Sequence, residues 1–255
     1  MPLTPALSPQ APRKPEEGDQ NRVEGPAAEA REGEGRRSFV VAIDGPAASG
    51  KGTLARHLAE HFAFAHLDTG TLYRATALLI LDQADDASDP AIAEAAARRV
   101  DLHILSEPRL RGPAVAAAAS IVAAIPAVRN ALLDLQRQFA ANPPPPARGA
   151  VLDGRDIRSV VCPSADAKLF LTASAEVRTR RRVAELRQQG TAAIYEDVLQ
   201  EMKERDARDS GRRAAPLIAP ADAVVIDTTL LDADAVFERA CDLIQRTLEE
   251  KEWQQ

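Results

Sequence analysis

Phe39-Val40-Val41-Ala42-Ile43-Asp44-Gly45-Pro46-Ala47-Ala48-Ser49-Gly50-Lys51-Gly52-Thr53 decides the reading of this chain. Its first five residues form a short continuous apolar run, which predicts a strand buried on both faces of a parallel sheet. Thr53 to Phe62 then has helical spacing. Between them stands the pattern glycine, four residues, glycine, lysine, with Gly45, Gly50 and Lys51 in those places. A glycine-rich turn between strand and helix aims backbone N–H groups and the positive helix N-terminus at one point, which suits phosphate oxygens. Lys51 is in register to reach the β- and γ-phosphates of a triphosphate. A hydroxyl residue usually follows the lysine directly. Here Gly52 intervenes and Thr53 supplies the hydroxyl.

Upstream, residues 1–37 carry Pro2, Pro5, Pro9, Pro12, Pro15 and Pro26, with Leu3, Leu7 and Val23 as large aliphatic side chains. So little apolar surface does not offset the entropy of ordering, and a disordered N-terminal tail is expected. The tail also lacks the continuous apolar stretch of a secretory signal. Downstream, residues 38–255 read as the folded part. Ala65–Leu67, Leu102–Leu105, Ala150–Asp153, Ala167–Leu171 and Ala223–Asp227 read as further strands. Helices are expected over 71–81, from Asp89-Pro90 onward, over 114–124 and 126–141 around Pro126, and over 174–189, 193–209 and 232–250. Asp89 is a plausible N-cap with Pro90 at the first helical position. Strands alternating with helices predict an α/β fold, a mostly parallel sheet flanked by helices.

With 255 residues, 45% of them hydrophobic, the chain has enough apolar material for one or two domains. A formal net charge of -6 leaves no overall basic field, which argues against non-specific nucleic-acid binding. Any bound anion must be met by local groups of Arg and Lys. Cys162 and Cys241 lie far apart and have neither a disulfide framework nor a metal spacing, which fits a reducing, cytoplasmic setting. The apolar runs are alanine-rich and short, or interrupted by charge, and none approaches the ~20 residues of a membrane span.

Three further clusters bear on what meets the triphosphate. Leu67-Asp68-Thr69-Gly70-Thr71-Leu72-Tyr73-Arg74 follows the second strand. It places a hydroxyl, an aromatic ring and a guanidinium at the carboxyl end of the sheet, where open α/β folds bind ligands. Leu152-Asp153-Gly154-Arg155-Asp156 ends a buried strand with two carboxylates and an arginine. An acid there suits Mg²⁺ held through water, and the arginine suits bidentate phosphate binding. On a helix, Arg205, Arg208, Asp209 and Arg212 share one face. Mixed charge on a helix usually marks a salt-bridged solvent face, so this third cluster alone leaves its role open.

Taken together and in order, these motifs resemble those of bacterial cytidylate kinases. The resemblance runs from Gly45–Thr53 through Leu67–Arg74 and Asp153–Asp156 to Lys203–Arg212 with Ala215-Pro216-Leu217. It covers roughly residues 39–248. It implies a P-loop core, an insert that binds the acceptor monophosphate (about 85–125) and a mobile helical lid (about 178–212). By the same resemblance, Gly45, Pro46, Ala47, Ala48, Ser49, Gly50, Lys51, Gly52 and Thr53 hold ATP, with Thr53 on the Mg²⁺ side. Arg74, Arg155 and Arg212 clamp the acceptor phosphate, and Arg205 and Asp209 meet the sugar hydroxyls. Ser120, Arg129 and Asp156 read cytosine, while Thr69 and Tyr73 line the pocket. Arg178, Arg181 and Arg182 are the lid arginines, with Lys51, Arg155, Arg178 and Arg182 counted as catalytic.

Cytosine carries an amino donor beside two acceptors, so a carboxylate and a guanidinium complement it. Uracil exchanges one donor and acceptor, and a mismatch of that kind costs about 1–3 kcal/mol, a modest preference for C over U. The resemblance thus implies ATP-dependent phosphorylation of CMP or dCMP by a monomer, with Mg²⁺ and without nucleic acid or membrane as partners. A related kinase acting on UMP, AMP or another small anion shares the same arginine set, and a nucleotide-binding switch is a third reading. One departure stands out. The segment from Ser106 to Ala114 is short, with Pro108, Gly112 and Pro113, so the β-rich insert of the longer bacterial type is expected to be largely lost.

Overall fold

The computed structural model describes residues 37–211, 217 and 222–252. Residues 1–36 of the expected tail, and Arg212, lie outside the described residues.

Five parallel strands form one sheet in the order β2-β3-β1-β4-β5. They are β1 (Phe39–Asp44), β2 (Ala65–Asp68), β3 (Gly149–Gly154), β4 (Ala167–Thr172) and β5 (Val224–Asp227). The central strand β1 is buried along its whole length, as its unbroken apolar run predicts. The chain leaves β1 toward β3 and β2 and returns past β1 to β4 and β5. The carboxyl end of β1 is therefore the switch point of the sheet, where a crevice opens.

Helices cover both faces: α1 (Lys51–Phe62), α2 (Thr69–Leu81), α3 (Pro90–Ala97), α4 (Pro113–Val122), α5 (Pro126–Ala141), α6 (Ala175–Gln188), α7 (Tyr195–Ser210) and α8 (Ala233–Glu252). On one face Val41, Ile43, Val151, Leu169 and Leu171 meet Leu54 and Leu58 of α1 and Ala240 and Ile244 of α8. On the other, Val40, Ala42, Ala150 and Leu152 meet α2, α4 and α5 through Leu72, Val122, Val128 and Leu132. A smaller cluster, Val183, Val198 and Met202, joins α6 to α7, and Ala47 and Ala48 of the glycine-rich loop pack against it.

Helix starts follow local chemistry. Asp89 caps α3, accepting from the N–H groups of Ala91 (2.8 Å) and Ile92 (3.2 Å), with Pro90 following as expected. Asp68 caps α2 through the N–H of Gly70 at 2.9 Å. The strand expected at 102–105 does not form. His103–Ser106 is a 3₁₀ turn. The Asp101 carboxylate accepts from the N–H groups of His103 (2.8 Å) and Ile104 (3.2 Å), so these donors are spent on a local turn. Pro108 then opens a second short turn, Pro108–Arg111. The segment from 85 to 125 is thus helical and turn-rich, without a strand among its residues.

Asp44 ends β1 and fixes the segment that follows β3. Its carboxylate accepts from the backbone N–H groups of Ile157 (2.8 Å) and Arg158 (3.1 Å), pinning the turn just beyond Asp156. Burial pushes the Asp44 carboxyl up to about 6, against the lowering effect of those two donors. Among the described residues, no single helix is long and apolar enough to cross a membrane.

Candidate active site

The loop between β1 and α1 is clamped from several sides. Gly45 passes so close to the end of β4 that a Cβ there would stand 2.3 Å from the Leu171 carbonyl oxygen. Lys51 Nζ donates back to the Pro46 carbonyl at 3.4 Å. From the β5 side, Thr228 Oγ1 donates to the Ser49 carbonyl at 3.1 Å. Arg181 holds Thr228 in turn, donating to its Oγ1 at 2.9 Å and its carbonyl at 2.8 Å. Ser49 Oγ is buried without a hydrogen-bond partner among the described residues.

Two clefts meet on this loop. The first lies toward β2 and β3 and is lined by Thr69, Tyr73, Arg74, Ser120, Arg129, Arg155, Asp156, Arg182, Arg205 and Asp209. The second runs toward β5 and α8 past Ser49, Gly50, Thr53, His57, Arg181, Thr228, Leu231 and Val236. Ala48, Lys51, Gly52 and Glu185 line both. Lys51 therefore stands at the junction of the two spaces.

The first cleft is polar and prearranged. Arg155 donates from Nε to Asp209 Oδ2 at 2.9 Å and from Nη1 to the Gly154 carbonyl at 3.2 Å. Arg129 pairs with Asp156, and both side chains are largely buried. Arg129 also reaches the Ala123 carbonyl (3.2 Å) and lies over the Tyr73 ring, 5.8 Å from its centre. Ser120 Oγ, on α4, is buried with no hydrogen-bond partner among the described residues although it lines the cleft. A buried polar atom without a partner calls for a ligand or water. Gly154 lets this edge close up, because a Cβ there would stand 2.5 Å from Thr69 Oγ1. The same hydroxyl donates to the Asp153 carbonyl at 2.8 Å.

Positive charge dominates the cleft. Burial brings the Lys51 ammonium down to about 7, and Arg155 and Arg205 add to the effect against Asp153 and Asp68. Burial also brings Arg205 down to about 10, with Arg155, Arg74 and Arg182 acting in the same direction against Asp209. Cations this crowded are at ease only beside an anion.

Small hard cations want oxygen donors, and the loop offers them: the Thr53 hydroxyl on the first turn of α1, with Asp68 and Asp153 at nearby strand ends. Among the described residues, no group of three or more His, Cys, Asp or Glu is placed to hold a metal by itself. This sparse oxygen set fits Mg²⁺, which keeps several waters and is bound largely by phosphates.

Of the residues singled out in the sequence, Ala47, Ala48, Lys51, Gly52, Thr69, Tyr73, Arg74, Ser120, Arg129, Arg155, Asp156, Arg182, Arg205 and Asp209 line the first cleft. Ser49, Gly50 and Thr53 line the second. Gly45 and Pro46 shape the loop from behind. Arg178 departs from expectation and lines neither cleft. Its guanidinium turns into the body, donating to the carbonyls of Ala173 (3.0 Å) and Ala47 (3.4 Å) and pairing with Asp206 at 2.8 Å. Arg178 is a brace between α6, α7 and the loop. Arg182, one turn on, pairs with Glu185 at 2.8 Å and faces the cleft. Sequence reasoning missed Thr228, Leu231 and Val236 of the second cleft, because short aliphatic and hydroxyl residues after a strand carry no motif.

Residues 41–246 match the family model described as cytidylate kinase. A cytidylate kinase from Methylocella silvestris is 55% identical over 207 residues, covering 81% of this chain and 94% of the relative. One from Rhodospirillum rubrum is 54% identical over 206 residues, covering 81% and 97%. A third, from Paramagnetospirillum magneticum, is 54% identical over 207 residues, covering 81% and 98%. Identity at this level across nearly the whole length of each relative, together with a parallel sheet carrying two clefts that meet at Lys51, shows that the chain belongs to the cytidylate kinase family.

Proposed function

We propose that this chain transfers the γ-phosphoryl group of ATP to the phosphate of CMP or dCMP, giving ADP with CDP or dCDP. The observation that carries the reading is the meeting of the two clefts at Lys51. In-line transfer between two phosphates needs this: a donor and an acceptor brought end to end across one cationic point.

ATP lies with its phosphates on the loop from Gly45 to Thr53 and its base in the second cleft. CMP occupies the first cleft. Arg74 and Arg155, with Arg212, hold its phosphate. Arg205 and Asp209 meet the sugar, and Ser120, Arg129 and Asp156 take the cytosine edge. The Arg129–Asp156 pair exists before the base arrives, so recognition reuses groups already desolvated and oriented. No covalent enzyme intermediate is required. An acceptor phosphate oxygen attacks the γ-phosphorus while Lys51 and the arginines, Arg182 among them, balance the charge that spreads over the transferring group. Mg²⁺ bound with ATP would neutralise further charge on its phosphate oxygens. Thr53 and, through water, Asp153 and Asp68 are the residues that would hold it. The α6–α7 pair acts as the lid, and its closing excludes water that would otherwise hydrolyse ATP. Residues 85–125 form the acceptor-side insert. We read the protein as a cytoplasmic monomer.

A coupled assay of ADP release with a panel of acceptors tests the reading. CMP and dCMP are expected to be the best acceptors, UMP to be poorer, and AMP and GMP to be near background. Preference for AMP would overturn it.

A further inference from the structure

We propose that His66 is a positioning residue for the metal–triphosphate end of the site, acting through Asp153 without touching substrate. The inference rests on the phosphotransfer reading above and concerns how one carboxylate is aimed.

His66 lies on β2, the edge strand beside β3. In the β2–β3 register His66 sits opposite Val151 and Asp68 opposite Asp153. Val151 belongs to the core under α1 and α8, and Leu67 to the core on the other face. Alternation along the strands therefore puts His66, Asp68 and Asp153 on the α1 side, at the carboxyl end of the sheet. There His66 Nε2 stands 2.8 Å from Asp153 Oδ1. A carboxylate accepts, so Nε2 carries the hydrogen and donates. The Asp153 side chain is 2% exposed and His66 is 20% exposed. His66 lines neither cleft.

The pairing occupies one oxygen of Asp153 and leaves the direction of the other determined. Oδ2 faces the first turn of α1, where a Cβ on Gly52 would lie 3.8 Å from it. That turn carries Lys51 on one side of Gly52 and Thr53 on the other. The Thr69 hydroxyl holds the Asp153 main chain from the same edge, donating to its carbonyl at 2.8 Å. Backbone and one carboxylate oxygen are thus both fixed, and only Oδ2 is presented to the first turn of α1, where a hydrated cation bound with the triphosphate would be held. Without His66 the carboxylate is free to swing onto the Lys51 ammonium and occupy the charge meant for phosphate. Carboxylates around metal sites are commonly oriented by an outer hydrogen-bond donor, and losing that donor weakens metal binding by about 10–100-fold. The Asp153 acid was legible as a metal-side candidate in the sequence. Its histidine partner was not, because 87 residues separate the two.

The test measures ATP affinity of the full chain by titration calorimetry with and without Mg²⁺, in the absence of any acceptor. The readout is the gain in affinity that Mg²⁺ confers. His66→Leu is expected to lose about tenfold of that gain while ATP affinity without metal stays within about twofold. His66→Gln, whose amide also donates to Asp153, is expected to keep most of it. Should His66→Leu fail to fold by circular dichroism, His66→Asn, whose amide stops short of Asp153, takes its place. An unchanged gain in the donor-lacking variant would overturn the proposal. So would equal loss in His66→Gln, or a matching loss of metal-free ATP binding, which marks a merely structural role. Because CMP is absent from the measurement, the outcome does not depend on which acceptor the enzyme prefers.

Discussion

Lys51 without a ligand is a lysine held near 7 by burial and by Arg155 and Arg205. A triphosphate reverses the balance of charge around it, so its pKa must climb on binding. ATP binding at pH about 8 is therefore expected to take up protons. Calorimetry in buffers of different ionisation enthalpy reads this directly, and an uptake of zero would remove Lys51 from the phosphate site. In the free protein the same depression makes unfolding bind a proton at any pH between about 7 and the ordinary lysine value of 10.5. The contribution of Lys51 to stability thus improves as pH rises through that window. Ser120 makes a complementary case. Its hydroxyl is buried and has no partner among the described residues, so removing it leaves none of them unsatisfied. Ser120→Ala should keep the melting temperature yet raise KM for CMP about tenfold, the effect of one lost hydrogen bond to a buried ligand. A lowered melting temperature with unchanged KM would place the hydroxyl in the fold instead.

At the scale of elements, what matters is how tightly the loop is held by strands it does not belong to. Gly45 joins β1 to the loop against a backbone carbonyl of β4 that cannot step aside. Gly45→Ala is expected to cost about 1–3 kcal/mol, as other overpacked sites do. That lowers the melting temperature by several degrees in a chain of this size, about 2–4 °C per kcal/mol. An unshifted thermal melt would show that β4 yields. The α6–α7 pair is fastened to the same loop by the Arg178 brace and by the contact of Ala47 and Ala48 with the Val183–Val198–Met202 cluster. The loop and its flanking elements were legible in the sequence because strand, turn and helix follow one another within 24 residues, Phe39 to Phe62. Leu102–Leu105 was misread as a strand because a short apolar run satisfies either structure, and the deciding group was the neighbouring Asp101 carboxylate.

For the whole molecule, the sheet order places both clefts over one crevice, and the reaction proposed for it follows from that placement. The family match begins at residue 41, and all described contacts of the two clefts lie beyond it. Deleting residues 2–36 is accordingly expected to leave kcat/KM for CMP within about twofold, as for other polar terminal segments. A larger loss would assign the tail a part in the site.

The amino-acid sequence by itself determined the phosphate loop, the alternation of strands and helices, and the stock of charged residues available to meet a second phosphate. These depend on neighbours close along the chain, where spacing and side-chain chemistry suffice. Only the tertiary structure decided how that stock was used. Arg178, Arg181 and Arg182 are near neighbours on α6 and chemically identical, yet one turns into the body, one holds Thr228 after β5 and one faces the first cleft. Each direction is set by partners far away in sequence, Asp206, Thr228 and the cleft wall, and such partners meet only when the sheet brings their strands and helices together.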